Sequence, residues 1–306
     1  VNEAIVQVQD LRKSYGAVEA LRGVSFEISE GEVFGLLGPN GAGKTTTVEI
    51  LEGMRRADGG MARVCGFDPQ TGGAAVKRNV GAVLQSTSLP DKLRVGEALE
   101  LFAGLYGVRP DTATLLRRFG LEEKRTAFYS QLSGGQKQRL AIALALVHQP
   151  RVIFLDEPTA GLDPQVRREI YDIIEELKQE KKTTLLTTHY IEEAERLCDR
   201  VAIIDQGRLI ALGTPRELKQ RAAGTTRIEV TLAKPMDGGE LRALDGVTDC
   251  RALDGRTVLH STSAPQTIVA LVKHLEAGGN ELQSLEIATP TLEDVFIELT
   301  GRRLRE

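Results

Sequence analysis

Apolar and polar residues alternate through "AIVQV" and "VSFEI" in the first thirty positions, the two-residue period of strands buried on one face. The pattern then changes. Four runs, "EVFGLL", "NVGAVL", "RVIFL" and "TTLLTT", lack polar alternation, as strands covered on both faces do, and helical stretches separate them. They predict a parallel sheet in an α/β core. "VAIIDQGRLIALG" adds two strands around an Asp-Gln-Gly turn. From about Leu93 to Tyr129 the spacing is helical, with apolar residues every three or four positions in "VGEALELFAGLYG", which predicts a helical subdomain inserted at about 88–150. After Gly224 the texture becomes strand "RIEVTL", strand "RTVLHS", helix "TIVALVKHL", strand "ELQSLEIA" and helix "TLEDVFIEL". The expected division is therefore a first domain at 1–222 and a small α+β domain at 225–306. "AKPMDGGE" within the second domain reads as a surface turn.

A length of 306 residues agrees with two domains. The net charge of −4, without a dense Lys/Arg tract, argues against a nucleic-acid groove or a polybasic membrane anchor. No apolar run approaches the roughly 20 residues of a membrane-spanning helix, and no signal-peptide pattern opens the sequence. A soluble, cytoplasmic chain is the expectation. Cys65, Cys198 and Cys250 are far apart without CxxC spacing, which speaks against zinc and for a reducing compartment.

The candidate chemistry lies where the apolar runs end. "GPNGAGKTT" fits G-x-x-x-x-G-K-[ST] between a predicted strand and a helix. Gly38, Gly41 and Gly43, with Pro39, Asn40 and Ala42, would wrap backbone N–H groups around phosphates, and Thr46 follows in the helix start. Lys44 would reach the β/γ oxygens and Thr45 would offer a hydroxyl to Mg²⁺. "VIFLDE" ends in Asp156, which could hold the metal, and Glu157, which could polarise an attacking water. The alternative for Glu157 is a cap ahead of Pro158. Gln85 follows "NVGAVL" and His189 follows "TTLLTT". Ligands of open α/β sheets bind beyond the carboxyl ends of the strands, so these groups should converge on one crevice. Tyr15 in "KSYGAVEAL" would stack on adenine or, alternatively, close the β layer.

"LSGGQKQRL" raises a separate question. Ser133 and Gln136 fit a capping box, so a helix starts here, and Gly134 and Gly135 leave N–H groups bare at its positive end. One triphosphate is already served by the P-loop. A second anion-binding helix start needs either a second ligand or the nucleotide of a partner, and a twofold dimer supplies the latter reciprocally.

Over roughly Ile5 to Gln220 these residues resemble the nucleotide-binding subunit of ABC transporters. "GPNGAGKT" resembles its Walker A, "VIFLDE" its Walker B, "LSGGQ" its signature and "AGLD", with Asp163, its D-loop. Gln85 matches the Q-loop glutamine, a further metal contact, His189 the switch histidine and Tyr15 the adenine-stacking aromatic. The resemblance implies a P-loop NTPase of ABC type that uses ATP and Mg²⁺. It implies a head-to-tail dimer, homomeric or with a second ABC ATPase, in which Ser133–Gln136 of one chain close over the γ-phosphate of the other. It also implies a separately encoded membrane permease on the inner face of the cell membrane, contacted by "STSLPDKLRVGEALELFAGLYG". The tail "TPTLEDVFIELTGR" resembles ABC-2, daunorubicin-resistance-like export ATPases, with an amphipathic stripe at Leu292, Val295, Phe296 and Leu299. The alternative is a cytosolic ABC ATPase that works in assembly or remodelling without a permease.

Overall fold

The computed structural model describes residues 4–85, 88–222, 226–253, 256–288 and 291–301, in two compact units with the chain passing from the first to the second between Pro215 and Arg216. In the first, β1 (Ala4–Tyr15) and β2 (Val18–Ser29) pair antiparallel. β3 (Val33–Leu37) and α1 (Lys44–Leu51) follow, and β4 (Gly59–Val64) returns to the free edge of β1, giving the order β2-β1-β4. The third strand escaped the pattern because "GGMARV" buries only Ala62 and Val64, too few apolar residues to declare a period.

α2 (Gly73–Asn79) leads into β5 (Val80–Val83). The inserted stretch is helical as expected: α3 (Val95–Tyr106), α4 (Thr112–Arg118), single 3₁₀ turns at Glu122–Lys124 and Tyr129–Gln131, then α5 (Gly134–Leu146). Ser86 and Thr87 of the expected permease-contact stretch lie outside the described residues. β6 (Val152–Asp156), α6 (Pro164–Gln179), β7 (Thr183–Thr188), α7 (Ile191–Leu197) and the hairpin β8 (Arg200–Asp205) and β9 (Arg208–Gly213) complete the unit. The large sheet has the order β5-β6-β7-β3-β8-β9, parallel except for β9.

Every residue of β3, β6 and β7 is buried, which is why these runs show no alternation. Phe34, Leu36, Phe154 and Leu185 share one core with Val6, Val8 and Phe26 of the antiparallel layer and Val48 and Leu51 of α1. Phe26 stacks on Phe34 at 5.1 Å. Burial of each such side chain contributes about 1.5–3 kcal/mol. On α6, Ile170, Ile173, Ile174 and Leu177 recur at three- and four-residue spacing and are buried. The threonines of β7 suit a strand by their branched Cβ, but each buried hydroxyl needs a partner. Thr183 accepts from the Gly31 N–H at 2.9 Å and Thr188 from the Tyr190 N–H at 2.9 Å.

α8 (Pro215–Ala222) begins at the division. The second unit holds β10 (Thr226–Leu232), α9 (Gly238–Arg242), β11 (Val247–Leu253), β12 (Arg256–Ser261), α10 (Ala264–Ala277), β13 (Leu282–Ala288) and α11 (Leu292–Thr300). Its antiparallel sheet has the order β11-β12-β10-β13. Ile228, Val230, Leu241, Cys250, Leu259, Leu271 and Leu275 form its core. Two elements correct the sequence reading. "AKPMDGGE" is more than a turn, since α9 starts at Gly238, and β11 was missed because "VTDCRAL" carries charges among its few apolar residues. Thr291 and Asp294 form the expected capping box, and Leu292, Val295 and Phe296 are buried. Leu299 does not join that face and is 49% exposed in the last turn. Thr289, Pro290 and Arg302 of the tail motif lie outside the described residues. Among the described residues, no helix is long and apolar enough to cross a membrane.

Candidate active site

β3 ends at Leu37 and the chain must turn at once. A Cβ at Gly38 would fall 2.2 Å from the Ile204 carbonyl oxygen, so only glycine fits. Gly43, ahead of α1, has φ 104°, and a Cβ there would meet the Ala20 carbonyl at 2.6 Å. No side chain caps α1, so its first N–H groups point out as donors for an anion. Lys44 is 4% exposed; its Nζ donates to Gly38 O at 2.8 Å and Pro39 O at 3.2 Å. Ala42 is buried behind the loop. A cavity of about 590 Å³ opens over Asn40, Gly41 and Gly43–Thr46, with Val18–Ala20, Arg22, Gln85, Glu157 and Gln206 as further walls.

The ends of β5 and β6 face the same cavity through Gln85 and Glu157, and His189 at the end of β7 lies against Glu157. Glu157 sits at φ 47°, in the left-handed region rare for a side-chain-bearing residue, held because its N–H meets both Thr187 O at 3.2 Å and Thr187 Oγ1 at 2.9 Å. The one hydroxyl proton of Thr187 goes to Asp156 Oδ1 at 2.5 Å. Thr187 thus fixes both acids. Glu157 Oε1 lies 3.0 Å from Lys44 Nζ. Its Oε2 receives the Gln85 amide at 3.5 Å and lies 3.3 Å from His189 Nδ1. A buried carboxylate is stable only when paired, and Lys44 pairs it. Burial pushes the Asp156 carboxyl up, against the hydrogen bonds from Thr187 and Thr45.

Thr45 Oγ1 donates to Asp156 Oδ1 at 3.4 Å. Hydroxyl and carboxylate are hard oxygen donors that suit Mg²⁺, which completes its shell with phosphate and water oxygens. Among the described residues no group of three His, Cys, Asp or Glu could hold a metal alone. The donor set therefore fits a metal that arrives with a phosphate. The hydrogen bond that Gln85 makes goes to Glu157, not to this pair.

Ser133 caps α5 as read: its Oγ accepts the Gln136 N–H at 3.3 Å, and Gln136 Oε1 accepts the Ser133 N–H at 3.0 Å. The two glycines differ. Gly134 is exposed, whereas Gly135 is buried and a Cβ there would lie 2.3 Å from Val166 Cγ1 on α6. Close helix packing thus accounts for Gly135, and the argument that glycine bares backbone for a ligand keeps its force at Gly134. Asp163 caps α6 through the Val166 N–H at 3.1 Å. None of Ser133–Gln136 and Asp163 lines the P-loop cavity, nor does Tyr15. Tyr15 ends β1 with its ring 5.0 Å from the Arg55 guanidinium and 5.7 Å from Lys13 Nζ, while Val18 reaches the cavity.

Sequence reasoning missed a buried acid. Glu193, 1% exposed, accepts hydrogen bonds from Tyr171 OH at 3.3 Å and from Thr159 Oγ1. It ties the segment after Glu157 to the helix after His189, and burial pushes its carboxyl up. Glu192 and Glu193 look alike in "IEEAERL", and only the three-dimensional path buries the second.

The ABC transporter family profile matches residues 21–160, and that of the "ATP-binding protein DrrA1-3-like, C-terminal domain" matches residues 213–300. The chain is 35% identical to the linearmycin resistance ATP-binding protein LnrL of Bacillus subtilis, covering 99% of this chain and 100% of that protein. It is 38% identical to the daunorubicin resistance ATP-binding protein DrrA3 of Streptomyces coeruleorubidus, over 99% of each. With the Nod factor export ATP-binding protein I of Ralstonia nicotianae it shares 39% identity over 99% of this chain and 95% of the relative. Among solved structures, an ATP-binding subunit of an ABC transporter superposes with TM-score 0.65 at 31% identity, over 72% of this chain and 93% of the other. A dimeric post-hydrolysis cassette bound to ADP and Pi superposes with TM-score 0.62 at 26% identity, over 68% and 98%.

Proposed function

The chain belongs to the ATP-binding subunits of ABC transporters, and from that premise we propose that two chains close head to tail on ATP and drive a membrane permease that exports a drug, antibiotic or lipid-like molecule. It is an ATPase, and the observation that carries the mechanism is the meeting of Lys44, Gln85 and His189 on the two oxygens of Glu157. The Gly38–Thr46 backbone and Lys44 hold the triphosphate, with Tyr15 as the adenine platform. Thr45 and Asp156, with Gln85 toward the same ion, would hold Mg²⁺, which supplies charge neutralisation at the β/γ oxygens. Glu157 Oε2 takes the proton of the attacking water, and His189 holds that carboxylate and the water in place. Thr187 keeps Asp156 and Glu157 in register, so that the metal ligand and the base act on one phosphate.

Export is supported by relatives named for antibiotic resistance and Nod factor export, matched over almost the whole chain. The shared pocket is supported by the placement of Ser133–Gln136 and Asp163 away from the cavity of their own chain. The partner's helix start then supplies the donors that the P-loop lacks toward the γ-phosphate. The groove between α3, α5 and β5 receives the permease, placing the subunit on the inner face of the membrane, and Gln85 at the end of β5 links that contact to Glu157.

A mixing experiment tests the shared pocket. Lys44→Ala and Ser133→Arg chains should each be inactive alone. A mixture should regain ATP hydrolysis, because the mixed dimer holds one pocket with an intact Lys44 and an intact Ser133. A mixture as inactive as its components would refute the head-to-tail arrangement.

A further inference from the structure

Another cavity of the first unit, about 230 Å³, lies apart from the P-loop, between the end of α1, α2, β5, α3 and α5. Val76, Val80, Leu84, Phe102 and Leu144 give it apolar walls. Two of its apolar lining residues reach solvent, Met54 at 61% and Tyr106 at 36% exposure, and the adjacent Leu101 and Leu105 of α3 are 51% and 73% exposed. Apolar side chains clustered in this way around a cavity mark a binding face.

One wall residue does not belong there by packing alone. Glu52 is 5% exposed, and neither carboxylate oxygen has a hydrogen-bond partner. Its charged neighbours make matters worse. Asp156 and Glu49 both act on it as like charges, and Glu49 is already paired with Arg55. Lys77 of α2 lines the cavity but is exposed and forms no ion pair with Glu52. An apolar residue here would serve the isolated subunit better, since an unpartnered buried acid is costly.

On the reading of this groove as the permease contact, we propose that Glu52 selects the membrane subunit by pairing with a lysine or arginine that the inserted segment carries among apolar side chains. The apolar walls take the flanking side chains, and the carboxylate takes the cation. Burial, then Asp156 and Glu49, push the Glu52 carboxyl up to about 8, so the acid is largely uncharged until the cation arrives. A membrane subunit with a neutral residue at that place would leave the acid unsatisfied, which gives discrimination among permeases rather than mere adhesion.

The test co-expresses the full chain with the membrane subunit encoded beside its gene and measures association in detergent. Glu52→Leu and Glu52→Gln should each weaken association by about 30-fold or more, the loss typical when one member of a buried charge pair is removed. Meanwhile the isolated Glu52→Leu chain should keep its ATP hydrolysis and melt at a higher temperature than wild type at pH 8, by about 2–4 °C for each kcal/mol gained. Lys77→Met should leave association unchanged. Glu52→Lys should lose association and regain it when the partner's basic residue becomes glutamate. Association of Glu52→Gln equal to wild type would show that a neutral donor suffices, and a lowered melting temperature of Glu52→Leu would show a structural acid; either overturns the pairing. So would loss of self-association in Glu52→Leu without loss of membrane-subunit binding, which assigns the groove to a second copy. If the wild-type chain bound no membrane subunit, the transporter reading itself would fall and this inference with it.

Discussion

Glu157→Gln removes one charge and almost no volume, from a place where the fold makes the consequence calculable. The carboxylate lies 3.0 Å from Lys44 Nζ, with side-chain exposures of 6% and 4%. At an effective dielectric of about 20 the pair attraction is roughly 5 kcal/mol, most of it offset by the desolvation of both ions. Stranding a buried partner typically costs about 3–5 kcal/mol, but Lys44 keeps the carbonyls of Gly38 and Pro39. The expected loss of fold stability is therefore only about 1–2 kcal/mol. For nucleotide the sign reverses. A triphosphate competes with Glu157 for Lys44 and is repelled by the carboxylate, so the glutamine variant should bind ATP about tenfold tighter, or about 1.4 kcal/mol. Turnover should fall by about 10² to 10⁴, because an amide cannot accept the proton of water. Titration with fluorescent ATP, phosphate release and light scattering after gel filtration check the three parts, the last by accumulation of an ATP-bound dimer. Wild-type turnover, or ATP binding weaker than wild type, would refute the reasoning.

Thr187→Val keeps the branched strand residue but removes the hydroxyl shared by Asp156 and the Glu157 N–H; it should cost about 1–3 kcal/mol in a denaturant titration and lower the hydrolysis rate. Gly135→Ala forces a methyl against Val166 and should cost about 1–3 kcal/mol, whereas Gly134→Ala, with Leu162 Cδ2 3.8 Å away, should leave the melting temperature nearly unchanged; equal losses would remove the packing account of Gly135. Glu52 has its carboxyl raised from 4.5 to about 8 in the fold, so the stability it lends is full below pH 4.5 and lost as pH rises through about 8. Glu52→Gln should accordingly gain on wild type between those limits, by up to about 5 kcal/mol, and a difference in melting temperature that does not grow with pH would contradict the burial.

What the sequence made legible was the part governed by local rules. The runs ending at Leu37, Leu155 and Thr188 announced doubly covered strands because nothing polar interrupts them, and the box of Ser133 and Gln136 formed with the predicted reciprocal bonds. The gathering of Lys44, Gln85, Glu157 and His189 followed from where those strands end. Tertiary packing carried no such signal. Gly135 is glycine because α6 presses on it, Glu193 is buried although its neighbour Glu192 is exposed, and β4 shows its pairing only against β1. Asp163, read from "AGLD" as part of the D-loop, also caps α6 within its own chain, a role the motif did not announce.

The order of strands across the sheet, β5-β6-β7-β3, lines up Gln85, Glu157, His189 and Lys44 in a row, although the chain visits them in the order 44, 85, 157 and 189. Neighbouring strands stand about 4.8 Å apart, so backbone pairing rather than loop length sets the spacing of these groups. Segments between them can therefore lengthen, shorten or acquire new partners without disturbing the alignment. Such a scaffold lets cargo and membrane context diversify while hydrolysis is inherited unchanged.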